Sequence, residues 1–268
     1  MVTTAFIGGG NMASAIIGGL RRGGRPGAAI VVVDPVATQR ERLAAEFGVR
    51  VLASADPSLA GAQLVVWAVK PQLFKAAAGA AAPHTGGALH LSVMAGIRSD
   101  AIARATGSER VVRAMPNTPA LIGQGISGLY ARAAVDSASR AEVESTLAST
   151  GRLLWVACEP DLDAVTALSG SGPAYVFYFA EAMVAAALEM GLTATQGREL
   201  ALATFAGATA LAQGSNDALG VLRERVTSKG GTTHAALESL SRAGVDVAFV
   251  RALHAARDRA RALGDEFG

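Results

Sequence analysis

Through the first half of the chain, short runs of consecutive apolar residues alternate with segments in which apolar positions recur every three or four residues. The runs at 4–7, 29–33, 50–52, 64–69, 88–93 and 111–114 predict β-strands. Ile30-Val31-Val32-Val33 and Leu64-Val65-Val66-Trp67 are apolar at every position, as strands covered on both faces require. The segments at 11–22 and 38–47, where charges such as Arg40, Glu41 and Glu46 fill the polar positions, predict amphipathic helices. Strand and helix in strict succession imply parallel strands joined by crossover helices, hence an α/β, doubly wound parallel sheet. From about Val156 the texture becomes rich in alanine and leucine, with long stretches at 174–189 and 195–213, and predicts an all-α second half. The expected domains are 1–157 and 158–268.

Ala182, Ala185, Ala186, Ala187, Ala201, Ala203, Ala206 and Ala208 crowd that second half, and small side chains let helix axes approach closely. Some of its helices are apolar nearly all round, which implies burial against something beyond the domain. A homodimer interface is the economical explanation; a compositional bias is the plain one, since the chain also uses 21 Arg against 3 Lys. The balance of 51% hydrophobic and 17% charged residues excludes disordered, collagenous and coiled-coil classes. Its formal charge of +2 is spread without a basic run, which argues against a nucleic-acid partner. Cys158 is the lone cysteine, so no internal disulfide and no multi-cysteine metal site is expected. The amino terminus lacks the pattern of a signal peptide, and no apolar run nears the ~18 residues of a membrane span. The expectation is a cytoplasmic protein with no membrane association.

The strongest local signal is Gly8-Gly9-Gly10-Asn11-Met12-Ala13, which fits G-x-G-x-x-G/A directly after the strand ending at Ile7 and opens a helix. In that pattern the first glycine permits a tight turn, the second lets a pyrophosphate approach the backbone, and a small third residue packs helix on strand. Asp34 ends the second strand, where an acidic side chain can reach a ribose 2′-hydroxyl and favour NADH. Arg40 and Arg42 on the next helix offer cations for a 2′-phosphate, and Asp34 can equally well cap the turn before Pro35. NADPH and NADH therefore both stay open. Ala68, Val69, Lys70 and Pro71 follow the fourth strand, at the sheet edge where ligands bind in open α/β folds, although a lysine there is often simply solvated. Residues 114–119 form a stiff loop with two prolines.

Two segments interrupt the helical half. Ser169-Gly170-Ser171-Gly172-Pro173 puts a proline in the first turn of a long helix. Val226-Thr227-Ser228-Lys229-Gly230-Gly231-Thr232-Thr233 places glycines and threonines at a helix start, either as a small carboxylate site or as ordinary capping. No P-loop, nucleophile elbow or metal-ligand spacing occurs, and His84, His90, His234 and His254 stand apart; His90 reads as a satisfied core residue. No general acid is evident in these loops. Reduction of a ketone needs one, whereas a protonated imine needs chiefly a cofactor, a clamp and one hydrogen-bond partner.

Taken together and in order, residues 6–12, 68–71, 113–119, 169–175 and 226–233 resemble pyrroline-5-carboxylate reductases over essentially the whole chain. The Ser-Gly-Ser-Gly-Pro-Ala-Tyr and Ser-x-Gly-Gly-Thr-Thr segments are the specific part of the resemblance. It implies a Rossmann-type domain followed by a dimerisation domain that interlocks two subunits, often within larger rings of dimers. It implies reduction of 1-pyrroline-5-carboxylate, a small-molecule substrate, to L-proline with NADPH or NADH, the last step of proline synthesis. The implied cofactor-binding residues are Ile7, Gly8, Gly9, Gly10, Asn11, Met12, Asp34, Ala68, Val69, Lys70, Pro71, Met94, Ala95 and Asn117, with no metal. The pyrroline ring would lie between nicotinamide and Pro173, with Glu159 and Val226 nearby. The Gly231-Thr232-Thr233 bend of the partner subunit would hold the carboxylate, and Thr233 would hydrogen-bond the ring nitrogen as the catalytic residue. Two departures from the family pattern are Lys229, where proline is common, and Asn216-Asp217-Ala218-Leu219, where Gly-Glu-His-Pro is common. A reductase of a six-membered cyclic imine acid is the nearest alternative; against a β-hydroxyacid dehydrogenase stands the lack of a lysine on a late helix paired with a downstream asparagine, and against a dinucleotide-sensing regulator the intact Thr233 loop.

Overall fold

A computed structural model describes residues 4–267. Residues 1–3, which open the amino-terminal segment read above, and residue 268 lie outside the described part. The described residues form one sheet from β1 (Thr4–Ile7), β2 (Ile30–Val33), β3 (Arg50–Leu52), β4 (Leu64–Trp67), β5 (Leu89–Ser92), β6 (Val111–Met115), β7 (Gly125–Ala131) and β8 (Gly151–Trp155), in the order β3-β2-β1-β4-β5-β6-β7-β8. β1 to β6 run parallel, β7 is antiparallel to β6, and β8 follows the direction of β7.

The six expected strands are present: 4–7 and 50–52 as expected, the last one residue longer to Met115, and the others trimmed, since Ala29 belongs to a short 3₁₀ turn and residues 68, 69, 88 and 93 lie outside the ladder. β7 and β8 were not expected. Gly125, Ser127, Gly128 and Gly151 dilute the apolar signal there, because glycine and serine have weak strand preference. The fold nevertheless needs a glycine at 128, where a Cβ atom would lie 2.7 Å from Val165 Cγ1.

Alternate residues of the parallel strands face opposite ways, and both faces are covered. Phe6, Ile30, Val32, Leu64 and Val66 pack with Ile16 and Ile17 of α1 (Asn11–Arg22), Leu43 of α2 (Ala37–Phe47) and Val143 and Leu147 of α5 (Ser137–Leu147). Ala5, Ile7, Val31, Val65 and Trp67 pack with Phe74 and Ala78 of α3 (Phe74–Ala81) and Ile102 of α4 (Ser99–Thr106). Each buried aliphatic side chain contributes about 1.5–3 kcal/mol, so a strand apolar at every position is stabilised from both sides.

The chain divides into two compact units, one made of the residues up to Gly172 together with those from Ala255 onward, the other of Pro173–His254. The division falls later than the change of texture near Val156, so α6 (Asp161–Val165) and the π-helical turn Thr166–Gly170 belong with the sheet. The end of α11 (Val245–Phe267) also belongs there: Phe267 packs against the core, and Gly96 is in close contact with Leu263.

The second unit is helical, as expected, with α7 (Gly172–Glu189), α8 (Ala194–Gln213), α9 (Leu219–Arg225), α10 (Thr232–Arg242) and the start of α11. Small residues do bring its helices together, for Gly197 sits where a Cβ would lie 2.8 Å from that of Ala187. Tyr175 and Phe179 meet Phe249 edge-on at 5.7 and 5.6 Å. Yet Tyr178, Met190, Leu211 and Leu219 are 69%, 73%, 74% and 72% exposed, so part of the apolar surface of these helices is left uncovered within the chain. The helical stretch Asp161–Glu189 is long and apolar enough to cross a membrane by length and composition, contrary to expectation; Glu181 interrupts the apolar run in the sequence, while the helix continues past it.

His90 on β5 is fully buried, and its Nδ1 accepts a hydrogen bond from Trp67 Nε1 at 3.1 Å. Its Nε2 has no partner, so the core histidine is only half satisfied. Burial, with a smaller contribution from Arg110, pushes the imidazole down to about 4 from an ordinary 6.5. The unfolded chain takes up this proton below 6.5 and the folded chain does not until about 4, so stability falls with pH across that window. The full loss is on the order of 3 kcal/mol. Denaturant unfolding at about pH 7 and about pH 4.5 should show a larger loss for the natural chain than for His90→Gln, whose amide oxygen still accepts from Trp67; equal losses would clear His90 of the effect.

Candidate active site

Strand order reverses between β1 and β4: the chain leaves β1 toward β2 and β3, then crosses back to β4, β5 and β6. At such a switch the loops at the carboxyl ends diverge and leave a crevice. The glycine-rich turn lies there. Gly8 has φ +96°, and a Cβ on it would lie 2.6 Å from the Ala68 carbonyl oxygen, so only glycine lets the turn leave β1 this close to β4. Gly10 is exposed and has nothing within 4 Å of where a Cβ would stand, which leaves its backbone open to an approaching group. It is the N-cap of α1, no side chain caps that helix, and no acidic residue occupies its first turn. The first N–H groups of α1 therefore face outward as an anion site, which fits a pyrophosphate. Ala13 is buried against the sheet, as the motif requires. Asn11 is exposed and Met12 packs at the edge of the core.

Asp34 stands beside this turn. Its Oδ2 accepts the Gly9 N–H at 2.8 Å and its Oδ1 the Val36 N–H at 2.9 Å, so it caps its own turn and reaches the glycine loop at once. Lys70 is exposed and precedes a 3₁₀ turn with Pro71 in its first position. Ala68 and Val69 line the far side of the Gly8 turn. Met94 is buried after β5, with Ala95 next to it half-buried. The Asn117 Oδ1 accepts the Ile126 N–H at 3.0 Å and thereby ties the stiff loop after β6 to β7. Met115, at the end of β6, lies against Gly170, where a Cβ would come 2.6 Å from Met115 Cε. That contact brings the Met-Pro-Asn loop and the Ser-Gly-Ser-Gly segment together. The segment is a π-helical turn, closed by the Ser171 N–H on the Thr166 carbonyl at 2.9 Å, with Pro173 following in the first turn of α7.

Glu159 is engaged within the fold. Its Oε1 accepts the Ser99 N–H at 2.6 Å and Arg113 Nη1 at 2.7 Å, and its Oε2 accepts the Ser99 hydroxyl at 2.6 Å. The carboxylate thus sits at the start of α4, where the helix dipole favours it, and neutralises an arginine that is 5% exposed on β6. Burial pushes the Arg113 guanidinium below its ordinary range, while Glu159 opposes that shift. A second pair, Arg98 with both oxygens of Asp163 at 3.1 and 3.0 Å, joins the start of α4 to α6. The sequence reading assigned no role to Ser99, Arg98 or Arg113. A charge inside the apolar strand Val-Val-Arg-Ala-Met was the available signal, since a buried arginine must find a carboxylate.

The glycine-threonine bend lies in the second unit. Val226 is 66% exposed at the end of α9, Gly230 has φ +73°, and Gly231 is the N-cap of α10. No side chain caps α10, its first turn has no acidic residue, and the Thr232 and Thr233 hydroxyls have no hydrogen-bond partner among the described residues. Ordinary capping by threonine is therefore not their use in this chain. Free N–H groups and two hydroxyls at a helix start can hold a carboxylate.

Residues 159–263 match the family model described as pyrroline-5-carboxylate reductase dimerisation, and residues 3–96 the one described as NADP oxidoreductase coenzyme F420-dependent. Over 266 residues the chain is 44% identical to pyrroline-5-carboxylate reductase of Pseudomonas aeruginosa, covering 98% of this chain and 97% of that one. The solved reductase of Coxiella burnetii superposes with a TM-score of 0.91 at 34% identity, covering 98% of each chain. That of Plasmodium falciparum, solved with NADP bound, superposes with a TM-score of 0.86 at 27% identity, again over 98% of each. The dimerisation match falls on the helices whose apolar faces lie bare, which supplies the partner those faces need. With both halves matched and the identity spread over nearly its whole length, the chain belongs to the pyrroline-5-carboxylate reductase family.

Proposed function

We infer that the chain reduces 1-pyrroline-5-carboxylate to L-proline with NAD(P)H, the final step of proline biosynthesis, in the cytoplasm. The observation that carries this reading is the 44% identity to a reductase of that name over nearly the full length, a span that includes both the glycine-rich turn and the glycine-threonine bend. When bound, the reduced nicotinamide supplies a hydride. Ile7 to Met12 cradle the phosphates at the start of α1, Lys70, Met94, Ala95 and Asn117 bound the nicotinamide end, and Pro173 backs the pyrroline ring. The substrate enters as the protonated imine. Its carbon receives the hydride, the C=N π electrons become the nitrogen lone pair, and no further acid is needed to complete the amine.

The Gly231-Thr232-Thr233 bend, supplied by the partner subunit, takes the substrate carboxylate on its free N–H groups, and the Thr233 hydroxyl orients the ring nitrogen. Lys229 adds a cation to that bend. Glu159 acts as a positioning residue: it fixes the start of α4 through Ser99 and the strand β6 through Arg113. Dimers form through the exposed helical faces and assemble further into rings.

Thr233→Ala should lower kcat/KM by about 10 to 100-fold, as loss of a hydrogen bond to a charged group does, with helix content intact; unchanged kinetics would remove Thr233 from the chemistry. Glu159→Gln leaves Arg113 buried without its counter-ion and should cost about 3–5 kcal/mol in a denaturant titration, whereas a loss under about 1 kcal/mol would mean the pair holds little. Sedimentation of the full chain should show dimers or larger species at micromolar concentration; a lone 27.1 kDa particle would contradict the interface.

A further inference from the structure

The loop that leaves the carboxyl end of β5, residues 93–98, carries Met94 and Ala95 and leads into α4. Resting on the reading that these two residues bound the nicotinamide, we propose that Arg98 is a positioning residue for hydride transfer, seated on Gly264 of α11 and locked by Asp163 of α6. The last turns of α11 then shape the loop that meets the cofactor ring.

The seat is a glycine. Gly264 is buried and still inside α11, and a Cβ on it would lie 2.6 Å from Cζ of Arg98. Glycine is among the weakest helix formers, so its use at this point answers to a neighbour, and that neighbour is the guanidinium laid against the helix. From there Nη1 and Nη2 of Arg98 donate to Oδ1 and Oδ2 of Asp163 at 3.1 and 3.0 Å. Both side chains are largely withdrawn from water, so neither charge is cheaply freed.

The rest of the loop is braced in the same direction. Gly96 has φ +73°, and a Cβ on it would lie 3.2 Å from Leu263 Cβ, so the loop meets α11 at two successive residues. Met94 and Ile97 are buried in the core against which Phe267 packs. Arg98 is also the N-cap of α4, its carbonyl accepting the Ile102 N–H at 3.1 Å, and the next residue, Ser99, is held by Glu159. All of these residues, with α11 counted from Ala255 onward, belong to the sheet unit. The bracing is internal to it.

Hydride transfer asks for reacting atoms about 3–3.5 Å apart, and a displacement of about 1 Å can cost about 100-fold in rate. A loop that bounds the nicotinamide must hold to that tolerance. The phosphates are held elsewhere, at the start of α1, so cofactor affinity depends little on Arg98. An alanine at 264 would collide with the guanidinium, the movable end of a flexible side chain, and drive it from Asp163. The helix itself would keep its shape, since alanine favours it.

The test is a stopped-flow single turnover of the full-length protein, loaded with whichever reduced nicotinamide it uses faster and mixed with excess 1-pyrroline-5-carboxylate. Gly264→Ala and Arg98→Gln should each lower the rate constant about tenfold or more, while the dissociation constant of the reduced cofactor, read by fluorescence, changes less than about threefold. Combined, they should cost no more than Arg98→Gln alone, because Gly264→Ala acts through Arg98. Loss of folded protein lowers the amplitude and leaves the rate constant alone, so a merely structural role is told apart. Where Gly264→Ala folds poorly, Arg98→Gln still reports. An unchanged rate constant in a folded variant, additive losses in the double variant, or affinity falling as far as the rate overturns the proposal. No turnover by the natural chain defeats the reductase reading and this role with it, whereas turnover that the variants leave untouched defeats only the role.

Discussion

The close passage of the β1 turn over the end of β4 is the constraint on which the rest of the sheet unit depends. With Gly8 lying almost on the Ala68 carbonyl, the two strands stay paired to their last residues, and the chain must diverge from that point in opposite directions. The crevice, the outward N–H groups of α1 and the bond from Gly9 to Asp34 all follow from this one approach. A side chain at Gly8 would push the strands apart at the place where a ligand is to be held.

A second requirement is met by charge. The start of α4, β6 and the segment after β8 are joined by Arg98, Ser99, Arg113, Glu159 and Asp163, beside the apolar packing of Met94 and Ile97. Buried ion pairs add little net stability, but their geometry is exacting, because each donor left unpaired is costly. Such a cluster fixes how α4, β6 and α6 meet. The helical unit follows the opposite economy: few of its apolar side chains are buried, and it falls within the match to a dimerisation family model.

Much of this was legible in residue order. Ile30 to Val33, apolar throughout, could belong only to a strand covered on both faces, and both cores contain it. The glycine turn carried its own context, strand before and helix after. β7 and β8 were not legible, since their glycines answer to neighbours such as Val165 that lie far off in sequence. Glu159 was read as a substrate neighbour, and only its partners reveal what its oxygens hold.

By itself the sequence determined the first six strands and their parallel character, the helical second half, the glycine-rich strand-turn-helix and the family, because each rests on local periodicity or on contiguous motifs. Tertiary structure alone decided which carboxylate meets which donor: Asp34 with Gly9, Glu159 with Ser99 and Arg113. Those pairings join residues far apart along the chain, and a hydrogen bond depends on tenths of an ångström that no spacing in one dimension encodes.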